Sequence, residues 1–300
     1  MNPLKYLALI GCLVLFVGCG REPASTGSVP AGATRSFDTR GVVREIAADR
    51  RKAVIRHEDI PGYMPRMTME LTVRDPRELE GIAVGDQITF RLHATADTHW
   101  IDTLRRVGLA EEETVVFEPL FIPKDVPELQ AGELLPDHEF MGEDGRAVRL
   151  SDYRGRAVAF TFFFTRCPLP DFCPRMNLRF KEARELMLTA SNGATNWQFL
   201  CVSFDAEFDR PNVLSSYGGF YRGGNADRWL FAAARPEVLA DLAPRLDLMV
   251  AREGGSFSHN LRTVVLDPQG RLHRQFDGNE WTAEQLAEAM QAAARVAKSP

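Results

Sequence analysis

The chain has 300 residues, 45% of them apolar and 26% charged, and carries a net charge of −5. That length exceeds what one hydrophobic core organises, so two folded units with connecting segments are expected, and the composition excludes a chain disordered throughout. Its basic residues are scattered among acidic ones, which argues against a polyanionic partner such as nucleic acid.

The N-terminus reads Lys5, an apolar span Leu7–Val17, then Gly18-Cys19. The span is short for a transmembrane helix and ends in small residues, as an export signal does. Val17-Gly18-Cys19 resembles the lipobox of bacterial lipoproteins, with Phe16 where Leu is usual. The resemblance implies that residues 1–19 are a lipoprotein signal ending at a lipidated Cys19, and that a lipid anchor holds the protein to a membrane outside the cytoplasm. An uncleaved signal anchor is the plain alternative. Residues 20–36, rich in Gly, Ser, Pro and Ala, read as a flexible tether.

Residues 37–107 carry short alternating segments punctuated by turns such as Ile60-Pro61-Gly62 and Val84-Gly85-Asp86. With no amphipathic helix among them, a small β-barrel is expected. Within it, Met64-Pro65-Arg66-Met67-Thr68-Met69 holds three of the nine methionines. Met67 and Met69 share one face of a strand, a face that Leu71 and Val73 continue, so packing in a barrel core is one reading. Metal binding is the other. Thioethers are soft ligands that favour Cu(I), they form no disulfides, and His57 precedes a Pro-Gly turn that can fold it back beside them. Residues 108–131, with three prolines and little periodicity, read as a linker.

From residue 132 strands alternate with helices: Ala157–Thr165, a helix over Pro174–Thr189, Trp197–Phe204, helical stretches near Asn212–Tyr221 and Pro236–Leu246, a hairpin around Asp267-Pro268-Gln269-Gly270, and a last helix Thr282–Ala297. This pattern predicts an α/β sandwich with a central mixed sheet. Cys201 sits in the apolar run Phe199–Ser203 and reads as a core residue. Cys167 and Cys173 are different, because they flank a Pro-rich turn after a buried strand. Five extended residues would part them by roughly 20 Å, so Leu169–Phe172 must fold back for the sulfurs to meet. Pro174 predicts a helix start there, and the helix dipole with Arg166 and Arg175 predicts a thiolate at Cys173. A structural disulfide, a redox-active pair and a soft-metal site all remain open, the last needing a further ligand. The candidate is His259, in the glycine-rich stretch Gly254–Asn260 read as a loop.

Pro136-Asp137-His138-Glu139-Phe140, Asp144-Gly145, Leu150–Gly155 and Phe162-Phe163-Phe164-Thr165-Arg166-Cys167-Pro168 resemble a thioredoxin-like domain. With Cys173-Pro174, Ser203–Asp209, and His259 ahead of Val265–Gly270, the series over about residues 132–297 resembles the Sco/SenC copper chaperones. That resemblance implies that Cys167, Cys173 and His259 hold copper for delivery to the binuclear centre of cytochrome c oxidase, whose copper-bearing subunit is then the partner. Asp205 matches an aspartate of the family's acidic motif. The family usually places three residues between its cysteines, whereas five stand here.

Residues 38–107 resemble the periplasmic CusF-like domain, a five-stranded OB-type barrel, through His57, Pro65, Met67, Thr68 and Met69. Met64 replaces that family's tryptophan, as an extra thioether or a packing residue. The expectation is therefore a periplasmic, lipid-anchored copper metallochaperone that handles Cu(I), with Cu(II) also open. Its barrel (37–107) passes cargo across the linker (108–131) to the second domain (132–300). The alternatives are a thiol–disulfide oxidoreductase using Cys173 and Cys167, and a protein that only sequesters copper.

Overall fold

The structure, a computed structural model, describes residues 34–95, 98–110, 118–190, 193–223, 225–253 and 256–296. The expected signal, Cys19 and most of the tether lie outside the described residues.

Five strands form the first sheet: β1 (Arg35–Ile46), β2 (Lys52–His57), β3 (Met67–Thr72), β4 (Asp86–Ala94) and β5 (His99–Leu109), ordered β3-β2-β1-β4-β5. All neighbours are antiparallel. Alternation buries one face, including Val43, Ile55, Ile88, Phe90 and Ile101. The sheet curls until Val73, just beyond β3, bridges Ile101 of β5, so among the described residues the barrel is of OB type without a closing ladder between its edge strands.

Strand β6 (Glu118–Pro119) lies in the stretch expected to be linker, and it pairs with Ala251 and Arg252 of the second half. Lys124 N and Leu129 N donate to Ala240 O and Arg245 O, which keeps this stretch seated along that half. Its prolines break periodicity without freeing the chain.

The second half contains β7 (Glu139–Gly142), β8 (Ala147–Arg149), β9 (Ala157–Phe163), α1 (Cys173–Thr189), β10 (Trp197–Ser203), α2 (Pro211–Arg222), β11 (Trp229–Ala233), α3 (Pro236–Arg245), β12 (Val250–Glu253), β13 (Ser256–His259), β14 (Arg262–Leu266), β15 (Leu272–Asp277) and α4 (Ala283–Ala294). Its main sheet runs β15-β14-β9-β10-β11-β7-β8, with β9, β10 and β11 parallel and the rest antiparallel. Strands β9 and β10 are buried along their whole length, as continuous apolar runs between helical layers should be. Cys201 is one of these core residues, receiving the Trp229 indole N–H at 3.2 Å, and burial pushes its thiol up to about 12. This is the expected α/β, thioredoxin-like arrangement.

One expectation changes. The stretch read as a glycine-rich loop ends in β13, antiparallel to β12 with Val250 opposite His259. Ser256-Phe257-Ser258-His259 is a short polar–aromatic alternation that pairs once β12 is beside it.

Candidate metal centre

In the barrel, His57 ends β2 directly opposite Met67, and Ile55 stands opposite Met69. Opposed residues share a face, so the imidazole and both thioethers point into the barrel interior, where all three are buried. On the other side of β2, Gly41 faces His57; a Cβ there would come within 2.6 Å of Arg56 O. His57 Nδ1 lies 2.6 Å from Glu58 O. A carbonyl only accepts, so Nδ1 carries the proton and Nε2 presents its lone pair. Nε2 is buried and has no hydrogen-bond partner among the described residues. Such an acceptor costs roughly 1–3 kcal/mol unless something binds it, and a soft cation is one such ligand. Burial also lowers the His57 pKa, favouring the neutral form that ligates. Met64 packs in the barrel core within the Ile60–Met64 turn.

In the second half, the chain leaves β9 at Phe163 and enters the cysteine loop. Two buried aspartates pin that exit. Asp209 accepts the backbone N–H of Thr165 at 3.0 Å and the hydroxyls of Thr165 and Ser203. Asp205 accepts from the Arg166 guanidinium at 2.6 Å. The loop then folds back as required, Phe172 N donating to Leu169 O at 3.1 Å. Cys173 opens α1 with Pro174 beside it.

The Cys173 Sγ stands 3.8 Å from His259 Nε2. Two atoms bonded to one metal at about 2.3 Å (sulfur) and 2.0 Å (nitrogen), at a trigonal angle, would be roughly 3.7 Å apart, so this spacing suits a shared ion. His259 Nδ1 lies 2.8 Å from Asn260 O, which fixes the same tautomer as at His57 and leaves Nε2 free to ligate. The rings of Phe164, Phe204 and Phe172 surround the imidazole. Among the described residues no three His, Cys, Asp or Glu side chains already form a closed ligand set. The donors are neighbours whose closure needs side-chain adjustment.

The two thiols differ in their surroundings. Burial raises both, but the Cys173 thiol and His259 outweigh it at Cys167 and bring that group down to about 5. Cys173 goes up, through complete burial and then the neighbouring Cys167. Arg166, expected to favour a thiolate at Cys173, is spent on Asp205. Cys167 is the more exposed of the two.

Donors from both halves open onto one space. Met67, Met69, Cys167 and His259 line a cavity of about 200 Å³ together with Phe164 and Phe257. Three contacts that sequence reasoning missed hold its walls together. Buried Glu253 accepts the backbone N–H of Thr68 and the Thr68 hydroxyl, and lies 3.5 Å from Arg56 Nε. His99 Nδ1 lies 2.8 Å from Asp171 Oδ1 in the cysteine loop. Leu169 of the same loop is buried within the barrel's own core cluster. The one available signal was the length of that loop.

The fold and site define a thioredoxin-like domain whose paired cysteines face a histidine, joined to a barrel bearing His, Met and Met. Residues 126–295 match the SCO1/SenC family model, and residues 36–106 match the model for the copper binding periplasmic protein CusF. The chain belongs to the SCO1/SenC family. Solved structures with the same fold include Arabidopsis thaliana ScoI with copper bound, at 16% identity and TM-score 0.46, covering 54% of this chain and 99% of that one. A SCO1/SenC family lipoprotein from Bacillus anthracis str. Ames shares 19% identity at TM-score 0.49, covering 55% and 96%. BsSco, described as a member of the Sco family of cytochrome c oxidase assembly proteins, shares 21% at TM-score 0.48, covering 58% and 100%. No curated protein matches the chain. Copper is the metal to which these families point.

Proposed function

We propose that this protein is an extracytoplasmic Cu(I) metallochaperone that delivers copper to the copper-bearing subunit of a respiratory cytochrome c oxidase. His57, Met67 and Met69 receive the ion, and Cys167, Cys173 and His259 hold it for delivery. The observation that carries this reading is the His259 imidazole, held by Asn260 so that its free Nε2 faces Cys173 Sγ at 3.8 Å. Redox exchange has no need of a third donor in that position; a copper ion does. The CusF match supports a periplasmic location. No helix among the described residues is long and apolar enough to cross a membrane, and the lipid anchor at Cys19 supplies attachment in this reading.

Anaerobic Cu(I) titration of the reduced chain tests the proposal. Tight binding that weakens at least tenfold in His259→Ala is expected. Copper should then move to the metal-free oxidase subunit when the two are mixed, separated and assayed for metal. Binding indifferent to His259 would overturn the assignment, and retention of copper by the loaded chain would leave a sequestering protein.

The unequal thiols favour one second reading. In a thiol–disulfide oxidoreductase the Cys167 thiolate would attack an acceptor disulfide, releasing one of its sulfurs as thiolate, and Cys173 would resolve the mixed disulfide. The nucleophile would then be Cys167, not Cys173 as the helix dipole suggested. Turnover of a protein disulfide at equal rates with and without His259 would support it.

A further inference from the structure

The geometry points to a single mixed site in which one Cu(I) is held by both halves at once, through the Met67 or Met69 thioether, the Cys167 sulfur and the His259 imidazole. This inference rests on the copper reading above and goes beyond it, because two separate sites connected by a moving linker would serve that reading equally well.

The argument begins with the cavity. A space of about 200 Å³ is, if spherical, roughly 7 Å across between its walls, so donors lining it must turn inward before metal–sulfur bonds of about 2.3 Å can meet at one ion. Met67 and Met69 of β3 and Cys167 and His259 of the second half line this one space. The two halves therefore share a single chamber, and the remaining lining is mostly apolar or aromatic.

Charge balance decides where an ion would rest there. His57, Met67 and Met69 are neutral donors, so Cu(I) bound by them alone keeps a full positive charge inside a buried barrel face, which is costly. Of the carboxylates at hand, buried Glu253 is already engaged with Arg56 and Thr68, and Glu70, which lines the cavity, is paired with Lys52. One thiolate cancels the charge of Cu(I), whereas both thiolates would overshoot it. A site with one thioether, one thiolate and one imidazole is neutral, soft and three-coordinate.

Reaching it from the barrel requires only ligand exchange. The copper–His57 bond and one copper–thioether bond break, a copper–sulfur bond forms at Cys167 and a copper–nitrogen bond at His259, any proton on the Cys167 thiol leaves to solvent, and copper stays Cu(I). The two halves are held together by contacts already described, at Glu253, at His99 with Asp171, and at Leu169, so the exchange is made by side-chain rotation and not by movement of the halves.

Affinity for the first equivalent of Cu(I), measured on the full reduced chain by competition with a chromophoric chelator, separates a shared site from two independent ones. If the site is shared, Cys167→Ser and the double variant Met67→Leu with Met69→Leu should each weaken that first equivalent at least tenfold. If the sites are independent, only removal of the tighter one does so, and the shared site is overturned while the copper reading stands. Loss of all tight binding in the unaltered chain would overturn both. Because a variant can disturb packing, the unaltered chain labelled with selenomethionine supplies a second measurement. At one equivalent of Cu(I), X-ray absorption at the selenium edge should show copper beside selenium, and Cys167→Ser should alter the copper-edge sulfur shell of that same species. Absence of any copper–selenium distance would overturn the shared site.

Discussion

Thr68 and Glu253, 185 positions apart in the chain, meet with the Thr68 backbone N–H 3.0 Å from one carboxylate oxygen and the Thr68 hydroxyl on the other. Thr68 is the residue between Met67 and Met69, and Glu253 ends β12, whose partner β13 ends at His259. One buried carboxylate thus ties the methionine strand to the hairpin that carries the imidazole.

Glu253→Ala should lower the stability of the full chain by about 2–4 kcal/mol. It removes two charge-assisted hydrogen bonds and leaves the partly buried Arg56 guanidinium without its carboxylate. Glu253→Gln, which can keep one acceptor, should cost roughly half as much. Urea unfolding of both variants measures this, and equal midpoints for the two would show that the hydrogen bonds to Thr68 carry little of the effect.

Alkylation of the reduced, metal-free chain near neutral pH should fall first on Cys167. Its group is brought down to about 5, whereas Cys173 and Cys201 are pushed up and fully buried. Fragment mass spectrometry of the peptide carrying Cys167 and Cys173 reads the outcome directly. Earlier labelling of Cys173 would return the thiolate to the helix terminus.

Leu169→Ala should destabilise by about 2–4 kcal/mol, the usual range for a truncated buried leucine. The effect should appear away from its own domain. Leu169 packs in the barrel cluster with Met67 and Met69, so amide hydrogen exchange should quicken in β3 as well as in the cysteine loop. Quickening confined to the loop would mean that the leucine does not couple the two.

Acid should weaken the second half through Asp241. Burial raises its pKa, but Arg245 and then His138 outweigh this and hold it at about 2, below the ordinary 3.8. A carboxylate depressed on folding stabilises the native state above its unfolded pKa, and that contribution disappears as pH falls from about 4 through 2. The shift corresponds to at most about 2 kcal/mol, and to less once solvent screening is counted. Thermal unfolding at pH 5 and pH 2.5 should show a larger drop for the natural chain than for Asp241→Asn, and parallel drops would remove Asp241 from the acid response.

What could be read from the sequence was whatever repeats locally. Periodicity marked the buried runs of β9 and β10, and Pro174 marked the start of α1. The Met67 and Met69 face followed from strand alternation, and the place of His57 beside it from the Pro-Gly turn. His259 was legible as a donor, but not as a strand residue, because the pairing of β13 depends on β12. The surroundings of the thiols were hidden for a similar reason: helix polarity is local, while the commitment of Arg166 to Asp205 is made across 39 positions. His99 with Asp171, and Glu253 with Thr68, join stretches that share no pattern, so nothing periodic announces them.

The five residues between Cys167 and Cys173 reach beyond their own domain. By seating Leu169 in the neighbour's interior and setting Asp171 against His99, they make the reactive loop part of the barrel's wall. The halves are consequently not interchangeable modules. A graft of the shorter three-residue spacer would leave a hole under the methionines, and either half expressed alone would expose an apolar patch shaped for its missing companion.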